Sequence, residues 1–148
     1  FFLMRGISAP LDFDLDLAKK ETSENPVYYI QYAHARIYSI VEKAKENQLF
    51  AQANNFCLLK EEEELDLIKK IGSFQEQVEL CARQMEPFPL VMYVQELANC
   101  FHRFYDHHRV VDPSNKELSQ ERLALIEAAR IVLANGLRLF GVSAPTKM

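Results

Sequence analysis

The chain has no tryptophan, four glycines and three cysteines in 148 residues. Each shortage excludes something. The few glycines form no phosphate-cradling loop, so nucleotide-binding turns of the P-loop or dinucleotide kind are absent. Cys57, Cys81 and Cys100 are widely spaced and odd in number, the pattern of reduced, buried thiols in a cytosolic protein rather than a disulfide framework. No apolar run approaches the ~20 residues that cross a bilayer, and no signal-peptide pattern opens the chain. The first residue is Phe1, not Met, so a fragment of a longer cytoplasmic protein is expected. A basic excess is also missing: 17 Lys+Arg against 21 Asp+Glu leave a net charge of −4, which argues against non-specific nucleic-acid binding. The charge is uneven, however. Residues 1–98 carry 10 Lys+Arg against 16 Asp+Glu, and residues 99–148 carry 7 against 5. A weakly basic C-terminal third beside an acidic body leaves a small, specific RNA contact open.

What is present is an ordinary globular composition, 49 % hydrophobic and 26 % charged. A chain of this length suits one domain that buries roughly 70 % of its unfolded surface. Its pattern predicts helices with short connections. "SAPLDFDLDLAKK" alternates apolar and acidic residues from Leu11 to Leu17, which predicts a short extended segment from Ser8 passing into one or two helical turns. Asn25 then serves as N-cap with Pro26 at the first helical position, opening a helix to about Asn47. A second helix is expected over about Lys60–Ile71, ended by Gly72, with Ser73 capping a third that spaces Phe74, Val78 and Cys81 on one side and ends before Pro87. A fourth starts at Pro89, with Leu90, Tyr93, Val94, Leu97 and Phe101 on one side. "VVDPSNKE" is a loop. A fifth, apolar over much of its circumference and therefore central, runs from Leu118 to Phe140, where Gly141 stops it and Pro145 keeps the tail extended. The fold class is all-α, an antiparallel bundle of about five main helices.

"NPVYYIQYAHARIYSI", residues 25–40, holds four of the six tyrosines. Unrolled at about 100° per residue, Ile30, Ala33, Ile37, Ile40, Val41 and Ala44 gather on a core face. Tyr28, Tyr32 and Arg36 fall on another side, with Tyr29 at its border. Two readings of that strip are open. The rings can simply lie over neighbouring helices with each hydroxyl partnered. Alternatively they form a platform on which unpaired bases stack, with Arg supplying phosphate or cation–π contact.

Other constellations carry less. "DFDLD" at Asp12–Asp16 imitates a calcium loop but has Leu17 where Gly is needed and Ser23 where Glu is needed. His102 and His107 in "HRFYDHH" are five apart, and no cysteine pair stands at zinc spacing, so no metal site is expected. "EEEELD" at Glu61–Asp66 is a solvated helix start favoured by the helix dipole. Nothing is spaced as a catalytic set.

At two places the chain closely resembles the C-terminal helical domain of arginyl-tRNA synthetases, the DALR-type anticodon-binding domain. One is the Tyr29–His34 block in "NPVYYIQYAHARI". The other is "NGLRLFGVSAPTKM" at the end of "ERLALIEAARIVLANGLRLFGVSAPTKM". The upstream "FFLMR" and "LDFDLDLAKK" resemble the segment joining that family's catalytic domain to the bundle. Residues 1–24 are therefore expected to be a joining segment and 25–148 the helical anticodon-binding domain. The bacterial form is the closer match in appearance.

The resemblance implies a parent enzyme that activates arginine with ATP (and Mg) and esterifies it to tRNA. Its class I catalytic domain would lie upstream of Phe1, so the fragment itself holds no cofactor and no active site. The implied partner is the anticodon loop of arginine tRNA, with no membrane and a monomeric enzyme. Carried over by position, Tyr29 and Tyr32 match aromatic positions lining the anticodon pocket, Arg36 follows on the same helix, and Tyr105 matches a further aromatic position. Arg109 stands where some relatives place an aromatic residue. Met148 matches a terminal methionine that closes over the loop, with its free carboxylate nearby. Lys147 joins the set on charge alone, and Tyr28 is left out. Every arginine anticodon has C in the middle, and a splayed cytosine offers one amino donor and two acceptors to a protein that stacks its ring. The rival expectation is a helical protein-interaction module whose tyrosine face docks a partner, since Tyr and Arg are also interface hot-spot residues. A small stand-alone enzyme has the least support.

Overall fold

In the computed structural model, residues 1–4, 13–52 and 56–148 are described, and all regular structure among them is helical. A 3-10 turn at Phe2–Met4 precedes six α-helices: α1 (Leu15–Lys19), α2 (Pro26–Glu46), α3 (Glu62–Gly72), α4 (Phe74–Gln84), α5 (Phe88–His107) and α6 (Lys116–Leu139). The extended start expected over Ser8–Asp12 lies outside the described residues, as does Asp12 of the calcium-like pattern. The helical turns expected after it are α1.

The helix ends show how local chemistry sets the boundaries. The Asn25 side-chain oxygen accepts from Val27 N–H at 3.0 Å, and its Nδ2 donates to the carbonyls of Ala18 and Lys20. One residue thus caps α2 and anchors the end of α1 to it, with Pro26 at the first position needing no donor partner. Gly141, at φ +70°, lets Val142 N–H reach back to the Leu137 carbonyl at 2.9 Å, closing α6 in a left-handed turn that suits glycine. Ser73 does not cap α4 with its side chain. Its hydroxyl donates to the Lys70 carbonyl at 3.0 Å, so it finishes α3 instead.

The core is one cluster. The expected stripe of α2 is buried at Ile30, Ala33, Ile37, Val41 and Ala44, with Ile40 at its edge. Leu90, Tyr93, Val94, Leu97 and Phe101 of α5 are all buried, as are Leu123, Ile126, Leu133 and Leu137 of α6. α5 packs against α2, α3, α4 and α6, so the centre is shared between α5 and α6 rather than held by α6 alone. Cys81 is buried and Cys100 partly so, but Cys57 is exposed, against the expectation of three buried thiols.

The acidic run of α3 departs most from its expected role. Glu64 is fully buried rather than solvated. Its carboxylate accepts from Lys60 N–H at 2.8 Å, Glu61 N–H at 3.0 Å and Arg122 Nε at 2.7 Å. A buried carboxylate is tolerated when both of its oxygens are hydrogen-bonded and a counter-charge lies beside it in this way.

Candidate nucleic-acid interface

α2 and α5 pack side by side, and the tyrosine strip of α2 meets one face of α5. Because the core takes Ile30, Ala33 and Ile37, residues 28, 32 and 36 are left on a flank of the helix. On α5, His102, Tyr105 and Asp106 stand at i, i+3 and i+4 and share a side.

The rings form a continuous array. Tyr28 and Tyr32 stack with centroids 6.4 Å apart and planes 12° from parallel. Tyr32 continues onto the His102 imidazole at 5.9 Å and 18°. Tyr29 leans on the same imidazole at 4.7 Å. Tyr105 stacks on the buried Phe101 at 5.9 Å. Arg36 joins the helices: its guanidinium carbon lies 5.3 Å from the Tyr32 ring centre and 5.4 Å from that of Tyr105, and its Nη2 donates to the Tyr32 hydroxyl. Tyr28, Tyr29, Tyr32, Arg36 and Tyr105 are all half-buried, with ring surface left to solvent. A guanidinium held over two rings gains about 0.5–2 kcal/mol from each.

Two open clefts flank the array. The smaller, about 430 Å³, is lined by Glu21, Tyr28, Tyr29, Tyr32, His102 and Asp106, among others. The larger, about 670 Å³, has Lys43, Asn47, Tyr105, Asp106, His107 and Arg109 in its wall. Burial pushes the His102 imidazole below the usual histidine range; the Asp106 charge opposes this and the Arg36 charge adds to it. Burial likewise raises the Tyr29 phenol, and the Asp106 charge raises it further. Both shifts favour the uncharged ring. The His102 Nε2 is buried without a hydrogen-bond partner among the described residues.

The structure brings Tyr29, Tyr32, Arg36 and Tyr105 together, and Arg109 stands exposed in the wall of the adjoining larger cleft. Lys147 and Met148 are exposed. The segment leading to them is tied to another flank of α2. Gln31 Nε2 donates to the Ser143 carbonyl at 2.8 Å, and His34 Nδ1 lies 2.8 Å from the Pro145 carbonyl. His34 is about 160° round the helix from Tyr32. Three residues of the array were not singled out by sequence as binding residues. Tyr28 was visible on the helical wheel but left aside. His102 was weighed only as a metal ligand and Asp106 not at all; unrolling α5 beside Tyr105 would have found both. Among the described residues no group of three His, Cys, Asp or Glu is placed to hold a metal ion, and no helix is long and apolar enough to cross a membrane.

A helical bundle that offers half-buried stacked rings, a guanidinium spanning two helices and two open clefts is a recognition domain in its architecture. The chain belongs to the DALR anticodon binding domain family, which residues 30–148 match. It is 52 % identical over its whole length to an arginine–tRNA ligase of Dehalococcoides mccartyi, covering 26 % of that protein. It is 46 % identical to arginine–tRNA ligase 1 of Halalkalibacterium halodurans over 149 aligned residues, 27 % of that protein. The chain thus spans about a quarter of the length of the curated relatives it matches. Among solved structures, a candidate arginyl-tRNA synthetase of Campylobacter jejuni superimposes with a TM-score of 0.82 at 26 % identity, over 99 % of this chain and 32 % of that one. The arginyl-tRNA synthetase of Thermus thermophilus does so with 0.69 at 28 % identity, over 88 % and 22 %.

Proposed function

We propose that the chain is the part of a bacterial-type arginine–tRNA ligase that recognises the anticodon loop of arginine tRNA. Arg36, held over the rings of Tyr32 and Tyr105 at the seam of α2 and α5, is the observation that carries this assignment. Each exposed ring offers a face on which an unpaired base gains roughly 1–3 kcal/mol by stacking, while the guanidinium supplies charge that a domain of net charge −4 does not provide in bulk. Tyr29, Tyr32, Arg36, Tyr105 and Arg109 contact RNA directly. Lys147 and Met148 join them when the tail beyond Pro145 folds over the bound loop. Residues 1–24 connect the bundle to an upstream catalytic domain. That domain binds ATP with Mg and performs the aminoacylation. The whole enzyme works as a cytoplasmic monomer.

The test is binding of the chain to an arginine anticodon stem-loop at two salt concentrations, beside the same stem-loop with the middle C changed to U. Binding of the first and loss on the second is the expected result. Equal weak binding to both that vanishes with salt is the non-specific electrostatic contribution alone and refutes the assignment of selectivity to this domain.

A further inference from the structure

We infer that Asp106 selects the amino-bearing middle base, which enters the smaller cleft with its pairing edge toward that carboxylate. The inference rests on the anticodon assignment above and adds to it a selecting residue and a placement of base and phosphate in the two clefts.

Three observations converge on Asp106. It lines both clefts. No described residue hydrogen-bonds to its exposed carboxylate or forms an ion pair with it, so its acceptor capacity is unused. Its charge is felt by Tyr29 and by His102, whose rings meet at a tilt of 43° and both line the smaller cleft.

The chemistry of the two clefts differs in sign. The smaller has aromatic walls, Tyr28, Tyr29, Tyr32 and His102, with Asp106 and Glu21 as its charged lining. The larger carries Lys43 and Arg109 as well as the shared Asp106, so only it has cations in its lining. A nucleotide has one polyanionic end and one end that can donate hydrogen bonds. Placing the phosphate beside Lys43 and Arg109 and the base among the rings sets the anion in the cleft that holds cations, with Asp106 at its border. The reverse placement sets phosphate against two carboxylates.

Within the smaller cleft the carboxylate discriminates by what it can accept. Cytosine presents its 4-amino group, and a carboxylate is a matched acceptor for it. Uracil presents a carbonyl oxygen at the same position. That leaves the carboxylate facing another acceptor, with no hydrogen bond between them. A well-formed contact of this kind favours the right base by about 10- to 100-fold. Tyrosine faces alone stack either pyrimidine and do not separate them.

The experiment uses the 148-residue chain, with folding of each variant checked by circular dichroism. Wild type, Asp106→Ala and Asp106→Asn are titrated with the arginine anticodon stem-loop and with its C-to-U counterpart. The wild type is expected to prefer C by about 10- to 100-fold. Asp106→Ala is expected to bring the two within about threefold by losing affinity for C. Asp106→Asn, whose amide can also donate, is expected to narrow the gap by gaining affinity for U. A preference for C that Asp106→Ala leaves intact overturns the role of Asp106 and leaves the anticodon assignment standing. A wild type that binds neither stem-loop, or both equally, overturns the two together.

Discussion

Arg122 of α6 donates its Nε–H to the buried Glu64 carboxylate of α3 at 2.7 Å. The same guanidinium donates through Nη1 to the main-chain oxygen of Arg109 at 2.9 Å, so this buried pair holds the turn that forms one wall of the larger cleft. Removing one partner leaves the other charge buried and unanswered, and Glu64→Ala should cost about 3–5 kcal/mol of stability. Replacing both together, Glu64→Met with Arg122→Leu, should recover a large part of it. Urea unfolding of the three variants checks this; a double variant no more stable than Glu64→Ala contradicts it.

Gly136 marks the closest approach of α6 to α5. A β-carbon there would stand 2.5 Å from Val94 Cγ2, and Val94 is fully buried. Alanine has the better helix propensity by about 1 kcal/mol, yet Gly136→Ala should lower stability by about 1–3 kcal/mol because the core has no slack for the methyl group. Val94→Ala in the same chain should relieve the clash. A thermal melt showing Gly136→Ala at or above the wild type would refute the tight crossing.

His34 is buried, and burial holds its imidazole below the ordinary value near 6.5; the bond to the Pro145 carbonyl opposes this, the Arg130 charge adds to it, and the Glu127 charge opposes. The sign follows from linkage. Below about pH 6.5 the unfolded chain takes up a proton that the folded chain resists, so His34 contributes stability present above that pH and lost as pH falls. One such group accounts for at most about 1.4 kcal/mol per pH unit. Unfolding free energies at pH 7.5 and 5.5 should fall for the wild type and fall less for His34→Gln. His102 shifts in the same direction, so a residual slope is expected in that variant.

Tyr105 and Met148 test the array and the tail separately. Tyr105→Ala should weaken binding of the arginine anticodon stem-loop by about 10- to 100-fold through loss of a stacking face. Deletion of Met148 should also weaken it, with the bundle folded in both cases. Normal binding by both variants removes these residues from the interface. Loss in Tyr105→Ala alone confines the interface to the α2–α5 seam.

The legible parts of the molecule were those governed by near neighbours in sequence. The Asn25–Pro26 cap, the α2 stripe from Ile30 to Ala44, and the stop of α6 at Gly141 each depend on residues within a turn or two, and the structure places all three as read. Ser73 misled because one serine stood between two helices and could serve either. Glu64 misled for a different reason. In an acidic run, the exposed Glu61 and Glu62, the half-buried Glu63 beside His108 and the buried Glu64 look alike until His108 and Arg122, the latter 58 residues beyond Glu64, supply the partners.

By itself, then, the sequence determined the helical class, most helix boundaries, the core stripes and a flank of tyrosines with one arginine, because caps, periodicity and side-chain size act over a few residues. Only the tertiary structure decided which α5 residues face that flank. It put His102 under Tyr29 and Tyr32, Tyr105 under Arg36, and Asp106 in the lining of two clefts of different charge. Those meetings join residues some seventy positions apart. They follow from the relative rotation of two packed helices, which the buried faces of both must satisfy at once and which no local pattern records.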